Sequence, residues 1–376
     1  MKKTLLLILA TLMLSATLLF TASCADSDPY PPVESTESEA QVLYTLTYGG
    51  KSYEVRYELY RALFLTYKPI VDGGDTEVWK DDRAAAATET VNKMILDRVS
   101  ELYSVFAACE DIGVDLYSAD VDSEVRELVR QSVEGGTHNG QAIEGYGSYE
   151  KYLAALKELN LNYSVQDLLY RYSIGIEKLE DHYIGSVKGD AGVEVVPGAI
   201  EYTVDDVKAF YNSDACVRVL RTYIQTAVTN DPEGRIQRVR EAIVAAAEDG
   251  EEAVAIAMIA NGSLIAESEV FNGYVIAKNN LDGAYFDKMT DAAFALGIGE
   301  VSQPILIHDG REEAYYLLYR AEKSNEHFEE CYESIAYVYL KDKVGEIEKN
   351  ISNELKESIN ATSAMDNIDP TKITME

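Results

Sequence analysis

Residues 286–322 read FDKMTDAAFALGIGEVSQPILIHDGREEAYYLLYRAE, and the rest of the chain divides around them. In order they hold Phe294-Ala295-Leu296, the run Gly299-Glu300-Val301-Ser302, Pro304, the loop Ile307-His308-Asp309-Gly310, and a strand from Tyr315 to Ala321. A second strand lies well upstream, VRVLRTYIQT from Val217 to Thr226, where apolar and polar residues alternate as on a half-buried sheet. Between the two, Arg235 to Glu248 and Ala253 to Ile259 read as helices and Val270 to Ile276 as a strand. Residues 214–324 therefore read as one small domain of mixed helix and sheet.

Upstream, Gln41 to Tyr57 alternates around Gly49-Gly50, the signature of a β-hairpin. From Arg56 the period turns helical. Leu59, Leu63 and Tyr67 mark a short helix ended by Pro69. Asp81 to Cys109 carries Val91, Ile95, Val99, Leu102 and Phe106 on one stripe, and Ser118 to Val133 repeats the pattern. Ser148 caps a further helix, and Ser164 with Asp167 makes a capping-box-like start for the next. Residues 135–140 read as a loop and Gly185 to Gly198 as a connection, after which Thr203 opens a helix that buries Phe210 and Tyr211. Asn325 to Asn360 reads as one long amphipathic helix, from Phe328 to Ile359. A domain of roughly one hundred residues cannot cover so long a stripe. The expectation is that it packs back on the helical domain, which makes 214–324 an insertion; a dimerising helix is the other reading.

The 376 residues carry a formal charge of -32, so the surface repels polyanions and nucleic acid is disfavoured as a partner. At the N-terminus, Lys2 and Lys3 precede an apolar run from Leu5 to Phe20, then Thr21-Ala22-Ser23 and Cys24. This resembles a bacterial lipoprotein signal, with Thr21 where that pattern usually has Leu. The resemblance implies a signal peptide over 1–23 and lipidation of Cys24, and loss of the two lysines takes the mature charge to -34. An ordinary secretory signal or an uncleaved anchor are the alternatives, and all three place the chain outside the cytoplasm. Residues 24–40, rich in Pro, Ser, Asp and Glu, read as a disordered tether. Cys109, Cys216 and Cys331 have no C-x-x-C spacing and read as core thiols, although one bridge is open to them.

Taken together, these parts resemble the SurA/PrsA group of exported foldases, which carry a parvulin-type (rotamase, PpiC-type) peptidyl-prolyl isomerase domain. Phe294 to Pro304 and the final strand carry the likeness, and the tail Asp366-Asn367-Ile368-Asp369-Pro370 is similar to the closing segment of such lipoproteins. The implied class is α+β: a helical SurA-N-like chaperone domain with an N-terminal hairpin over 41–184, a connector and helix over 185–213, a parvulin-like α/β domain over 214–324, and a C-terminal helix and tail over 325–376. The family pattern has two histidines facing each other across the sheet floor, a Cys or Asp nearby, and a Leu/Met/Phe pocket for proline. Here the histidine positions fall on Tyr223 and Tyr316, no cysteine lies between residues 217 and 330, and the pocket positions fall on Tyr285, Met289 and Phe294.

The resemblance implies a membrane-anchored extracytoplasmic foldase or chaperone for unfolded or extended exported polypeptides, held to the membrane by lipid and needing no cofactor. An X-Pro bond rotates over a barrier of roughly 20 kcal/mol, and lowering it takes an apolar pocket, a desolvated amide and polar groups matched to the twisted form. With tyrosines at the imidazole positions, catalysis and plain core packing of those tyrosines both stay open. The alternative from another class is a non-catalytic polypeptide-binding or envelope-structural lipoprotein that uses the same fold as scaffold. A small-solute binding lipoprotein is disfavoured because the helical stretch lacks a strand–helix alternation. No H-E-x-x-H, G-x-S-x-G or phosphate-binding glycine loop occurs.

Overall fold

The hairpin at Gly49-Gly50 forms as β1 (Val42–Tyr48) and β2 (Lys51–Arg56), with φ of 58° and 82° at the two glycines. Side-chain-bearing residues rarely adopt two such angles in succession. The structure is a computed structural model describing residues 28–138, 141–188, 194–262, 267–279, 284–308 and 313–373. It divides into two units, one of residues 28–181 with 347–373 and one of residues 182–346. Cys24 lies outside the described residues.

In the first unit, α1 (Tyr57–Asp72) runs through Pro69 instead of ending there, because the ring sits in the last turn and Gly73, at φ 58°, closes it on the Pro69 carbonyl. Then come α2 (Ala84–Asp111), with Val91, Ile95, Val99 and Leu102 fully buried, and α3 (Ala119–Glu134), capped by Ser118. The loop expected over 135–140 holds a short hairpin, β3 (Gly136–His138) with β4 (Gln141–Ile143). Ser148 caps α4 (Tyr149–Glu158) as its position implies. For α5 (Tyr163–Tyr183) the capping oxygen is Asn162 Oδ1, which accepts from Val165 N at 3.0 Å; Ser164 instead donates to Glu58 Oε1.

The tether expectation fails over residues 28–40. The Tyr30 ring packs against Tyr149 with centroids 5.5 Å apart and planes tilted by 48°, and its hydroxyl donates to Glu134; the Tyr149 hydroxyl donates to the Pro31 carbonyl, and Ser35 donates to Glu58. One aromatic ring and a few hydrogen bonds are enough to dock a segment that composition alone marks as solvated.

The second unit opens with a hairpin, β5 (Gly185–Lys188) and β6 (Glu194–Pro197), where a connection was expected, followed by α6 (Val204–Asn212) with a full Thr203–Asp206 capping box. Next are β7 (Cys216–Gln225), α7 (Pro232–Ala247) and α8 (Glu251–Asn261). Where a strand was expected from Val270, the chain makes α9 (Glu267–Asn272), which turns at Gly273 (φ 71°) into β8 (Tyr274–Ala277). Val270 buries with Val254 and Met258, so its apolar character serves helix packing and not the sheet. Then follow α10 (Ala284–Ala295), β9 (Ile305–His308) and β10 (Glu313–Ala321). His308 is thus a strand residue opposite Glu313 and not a turn residue.

The expected single C-terminal helix breaks at Cys331 into α11 (Asn325–Glu330) and α12 (Tyr332–Glu357), before β11 (Asn360–Ala361) pairs with β1. Phe328, Ile335 and Ala336 bury with Val207, Phe210, Tyr211 and Cys216 in the second unit. Only the part from Ile347 belongs to the first, where Leu355 is buried and Lys356 pairs with Asp97 at 3.1 Å. All three described cysteines are free. No helix among the described residues is long and apolar enough to cross a membrane.

The four-stranded sheet runs β8-β7-β10-β9, all antiparallel. One face, through Leu220, Ile224, Leu317 and Tyr319, buries against α7 and α8 by way of Ile236, Val239, Ile243, Val254 and Met258. The other, through Val217, Val219 and Leu318, receives Met289 and Ala293 of α10.

Beside this sheet, the His327 ring lies parallel to Tyr211, with Nδ1 2.9 Å from the hydroxyl oxygen. Burial first, and the Arg218 guanidinium second, push its pKa down from 6.5 to about 4. Arg218 is itself held by Glu251 at 2.7 Å. The unfolded chain takes up this proton at higher pH than the folded one, so the stabilisation is complete above pH 6.5 and is lost as pH falls towards 4. Urea midpoints should therefore drop through that window, and His327→Phe should flatten the drop; an equal slope in the variant assigns the dependence to other groups.

Candidate functional site

Antiparallel pairing of β7 with β10 sets Tyr223 directly opposite Tyr316, and β9 sets Ile305 opposite Tyr316, so the three form one row across the sheet. Residues paired this way project to the same face. The two phenol rings stack with centroids 5.3 Å apart and planes at 25°. Both tyrosines are half-buried, in contrast to the closed core beneath the opposite face. The two positions that the sequence reading picked out, far apart along one domain, thus lie side by side on its sheet. That reading could not say that they would stack.

The pocket residues divide. Met289 is 3% exposed and packs with Val217, Val219, Leu318 and Ile307, so it forms part of the floor. Phe294, half-buried at the end of α10, packs on the same cluster as Tyr316, and the Lys278 ammonium lies 5.4 Å from its ring centroid. Arg320 Nη1 donates to the Ala293 carbonyl at 2.9 Å and ties the end of α10 to β10. Tyr285 lies in the first turn of α10, and its side chain is outside the described residues.

The run Gly299 to Ser302 works as a hook on β10. Gly299 N donates to the Arg320 carbonyl at 2.8 Å, Arg320 N to Glu300 O at 2.9 Å, and Ser302 N to the Leu318 carbonyl at 2.8 Å. Ser302 Oγ accepts from Leu318 N at 3.0 Å. Gly299 sits at φ 87°, and Glu300 accepts from Gly297 N at 2.8 Å, which closes the turn. The motif is therefore structural, and it holds the strand that presents Tyr316. Pro304 lies on another cleft of about 410 Å³ beside α7, where Tyr315 donates to Glu233 at 2.9 Å; burial and that carboxylate push the Tyr315 pKa up to about 12.

One polar residue of the tyrosine face escaped the sequence reading. Arg221 stands two residues before Tyr223 on β7 and so shares its face. Its guanidinium carbon lies 3.6 Å from the Tyr274 ring centroid, and its buried Nε has no hydrogen-bond partner among the described residues. Strand period alone pointed to it. The described residues hold no group of three His, Cys, Asp or Glu side chains that could take a metal ion.

No protein-family model matches the chain, and no curated protein matches it. Among solved structures it is similar to the foldase protein PrsA from Streptococcus pneumoniae str. Canada MDR_19A, at 18% identity and a TM-score of 0.29 over 72% of this chain and 85% of that one. PrsA from Bacillus subtilis gives 13% and 0.23 over 73% and 87%, and the foldase protein PrsA from Lactococcus lactis 13% and 0.22 over 86% and 95%. Likeness at such scores decides neither activity nor site.

A buried donor without a partner adds nothing to folding that its removal would forfeit. Arg221→Met, which keeps the stem over Tyr274, should change the urea-derived stability of the full chain by less than about 1 kcal/mol. A loss several times larger would make Arg221 a structural residue.

Proposed function

We propose that this chain is an extracytoplasmic foldase, held to the membrane through lipid on Cys24, whose four-stranded unit binds extended polypeptides at proline. The observation that carries the reading is the Tyr223–Tyr316 row, paired in register and half-open on a sheet face whose neighbouring floor is apolar. The chemistry asked of such a face is modest. Rotation about X-Pro breaks amide resonance and transfers no group, so the catalyst needs a dry seat for the ring and donors matched to the twisted carbonyl.

Met289 and Phe294 offer the apolar seat, the tyrosine hydroxyls and Arg221 the donors. A proline ring set against them loses water from its amide, which by itself favours the less polar, twisted form over the planar ones. A donor that meets the carbonyl better in the twisted geometry adds to this. Phenols can donate as the family's imidazoles do, but they are longer and here stack on each other. That stacking favours, as a second reading, a face that grips proline-containing segments without accelerating rotation.

The test is a protease-free isomerisation assay on a short X-Pro peptide with the mature chain. Acceleration should appear, and Tyr223→Phe and Tyr316→Phe should each lower kcat/KM by about tenfold or more, the cost of one transition-state hydrogen bond. Absent acceleration with suppressed aggregation of an unfolded client would leave the binding reading. Failure of both would overturn the proposal. Cys24→Ala should release the chain from membranes into the soluble fraction in a fractionation experiment.

A further inference from the structure

The first unit contains a pocket of about 480 Å³ that the tyrosine face does not use. Its wall is an aromatic ladder in which Tyr53 and Tyr103 lie 5.3 Å apart by centroid, Tyr103 and Phe106 5.8 Å, and Phe106 and Tyr117 6.0 Å. The first three are buried. Tyr117 is 60% exposed.

Glu58 also lines this pocket and is only 7% exposed. Its Oε2 accepts from Ser35 Oγ at 2.5 Å and Asn162 Nδ2 at 2.6 Å, and its Oε1 accepts from Ser164 Oγ at 2.8 Å. All three donors are neutral. No cation pairs with Glu58 among the described residues, and a carboxylate with three acceptor sites used keeps room for a further donor. The other lining carboxylates are already matched: Glu110 to Lys51 at 2.8 Å, Asp167 to Arg171 at 2.7 Å and Glu54 to Arg56 at 3.5 Å. The charge left over in the pocket is that of Glu58.

The chain itself displays how a cation sits at these groups. The Arg171 guanidinium lies 4.7 Å from the Tyr117 centroid while Asp167, Asp122 and the Leu116 carbonyl take its N–H groups. The geometry points to a binding site for the cationic side chain of an arginine or lysine in an extended polypeptide, with the charge towards Glu58 and the stem along the ring ladder. An apolar guest would strip water from Glu58 and return no bond, whereas a guanidinium returns both a charge and planar donors. The site deepens the foldase reading by naming a residue type that is held, and rests on that reading only for the polypeptide that carries it.

Two probes keep the pocket and the foldase reading apart. Acetyl-arginine amide and its neutral isostere acetyl-citrulline amide are titrated into the full chain first, then unstructured peptides carrying a single Arg, citrulline or Phe. The arginine probe should bind about tenfold tighter than citrulline, a cation–aromatic contact and one charge-assisted bond together, and the margin should shrink as ionic strength rises. Glu58→Gln should abolish the margin. Tyr117→Ala, at a ring that is 60% exposed, should cut it several-fold even if the buried substitution perturbs the fold. Equal binding of arginine and citrulline, tighter binding of the Phe peptide, or a margin that survives Tyr117→Ala would overturn the site. An arginine margin for the small probe, with no peptide bound, would uphold the pocket and count against the foldase reading.

Discussion

Eight register pairs between β7 and β10, from Ala314 opposite Gln225 to Ala321 opposite Arg218, are the constraint on which the second unit depends. Side chains alternate with a period of two, so a slip of β10 by one residue would send Leu317 and Tyr319 to the α10 side and bury Tyr316 under α7. The hook at Gly299 to Ser302 opposes such a slip, since its backbone bonds to Leu318 and Arg320 and its buried Ser302 hydroxyl fix β10 from the edge that β9 leaves uncovered. The same pairing that closes the core therefore exposes the tyrosine row.

The arginines of this acidic chain differ in how fully their N–H groups are matched. Arg218, 6% exposed, donates to the Glu322 and Asn272 carbonyls and pairs with Glu251, so one guanidinium joins β7 to the ends of three other elements, β10, α9 and α8. Arg171 does the same in the first unit through Asp167, Asp122 and Leu116. Burying such a charge is tolerable because nearly every N–H finds an acceptor. Arg221 has no such set, and it faces the tyrosines. Glu58 is its counterpart of opposite sign, a buried carboxylate with neutral donors and, among the described residues, no cation of its own.

Local chemistry made much of the element order legible before any coordinates. Gly49-Gly50 requires its turn, Ser118, Ser148 and Thr203 cap where their side chains can reach a free N–H, and β7 and β10 alternate visibly. The misses share one cause, which is that the deciding partner lies far away in sequence. Val270 is helical because α8 is beside it; residues 28–40 are docked because Tyr149 offers a ring; the C-terminal stripe is divided because Phe210 and Tyr211 cover its first part.

By itself the sequence determined the helical and strand periods, the caps and turns, the acidic surface, and the two positions, Tyr223 and Tyr316, at which polar groups would meet if the strands paired. These are properties of residues within a few places of one another. Tertiary structure alone decided that the two rings stack, that Arg221 and Tyr274 join their face, and that Glu58 is buried beside an aromatic ladder. Burial and register are sums over contacts between distant segments, and no local pattern contains them.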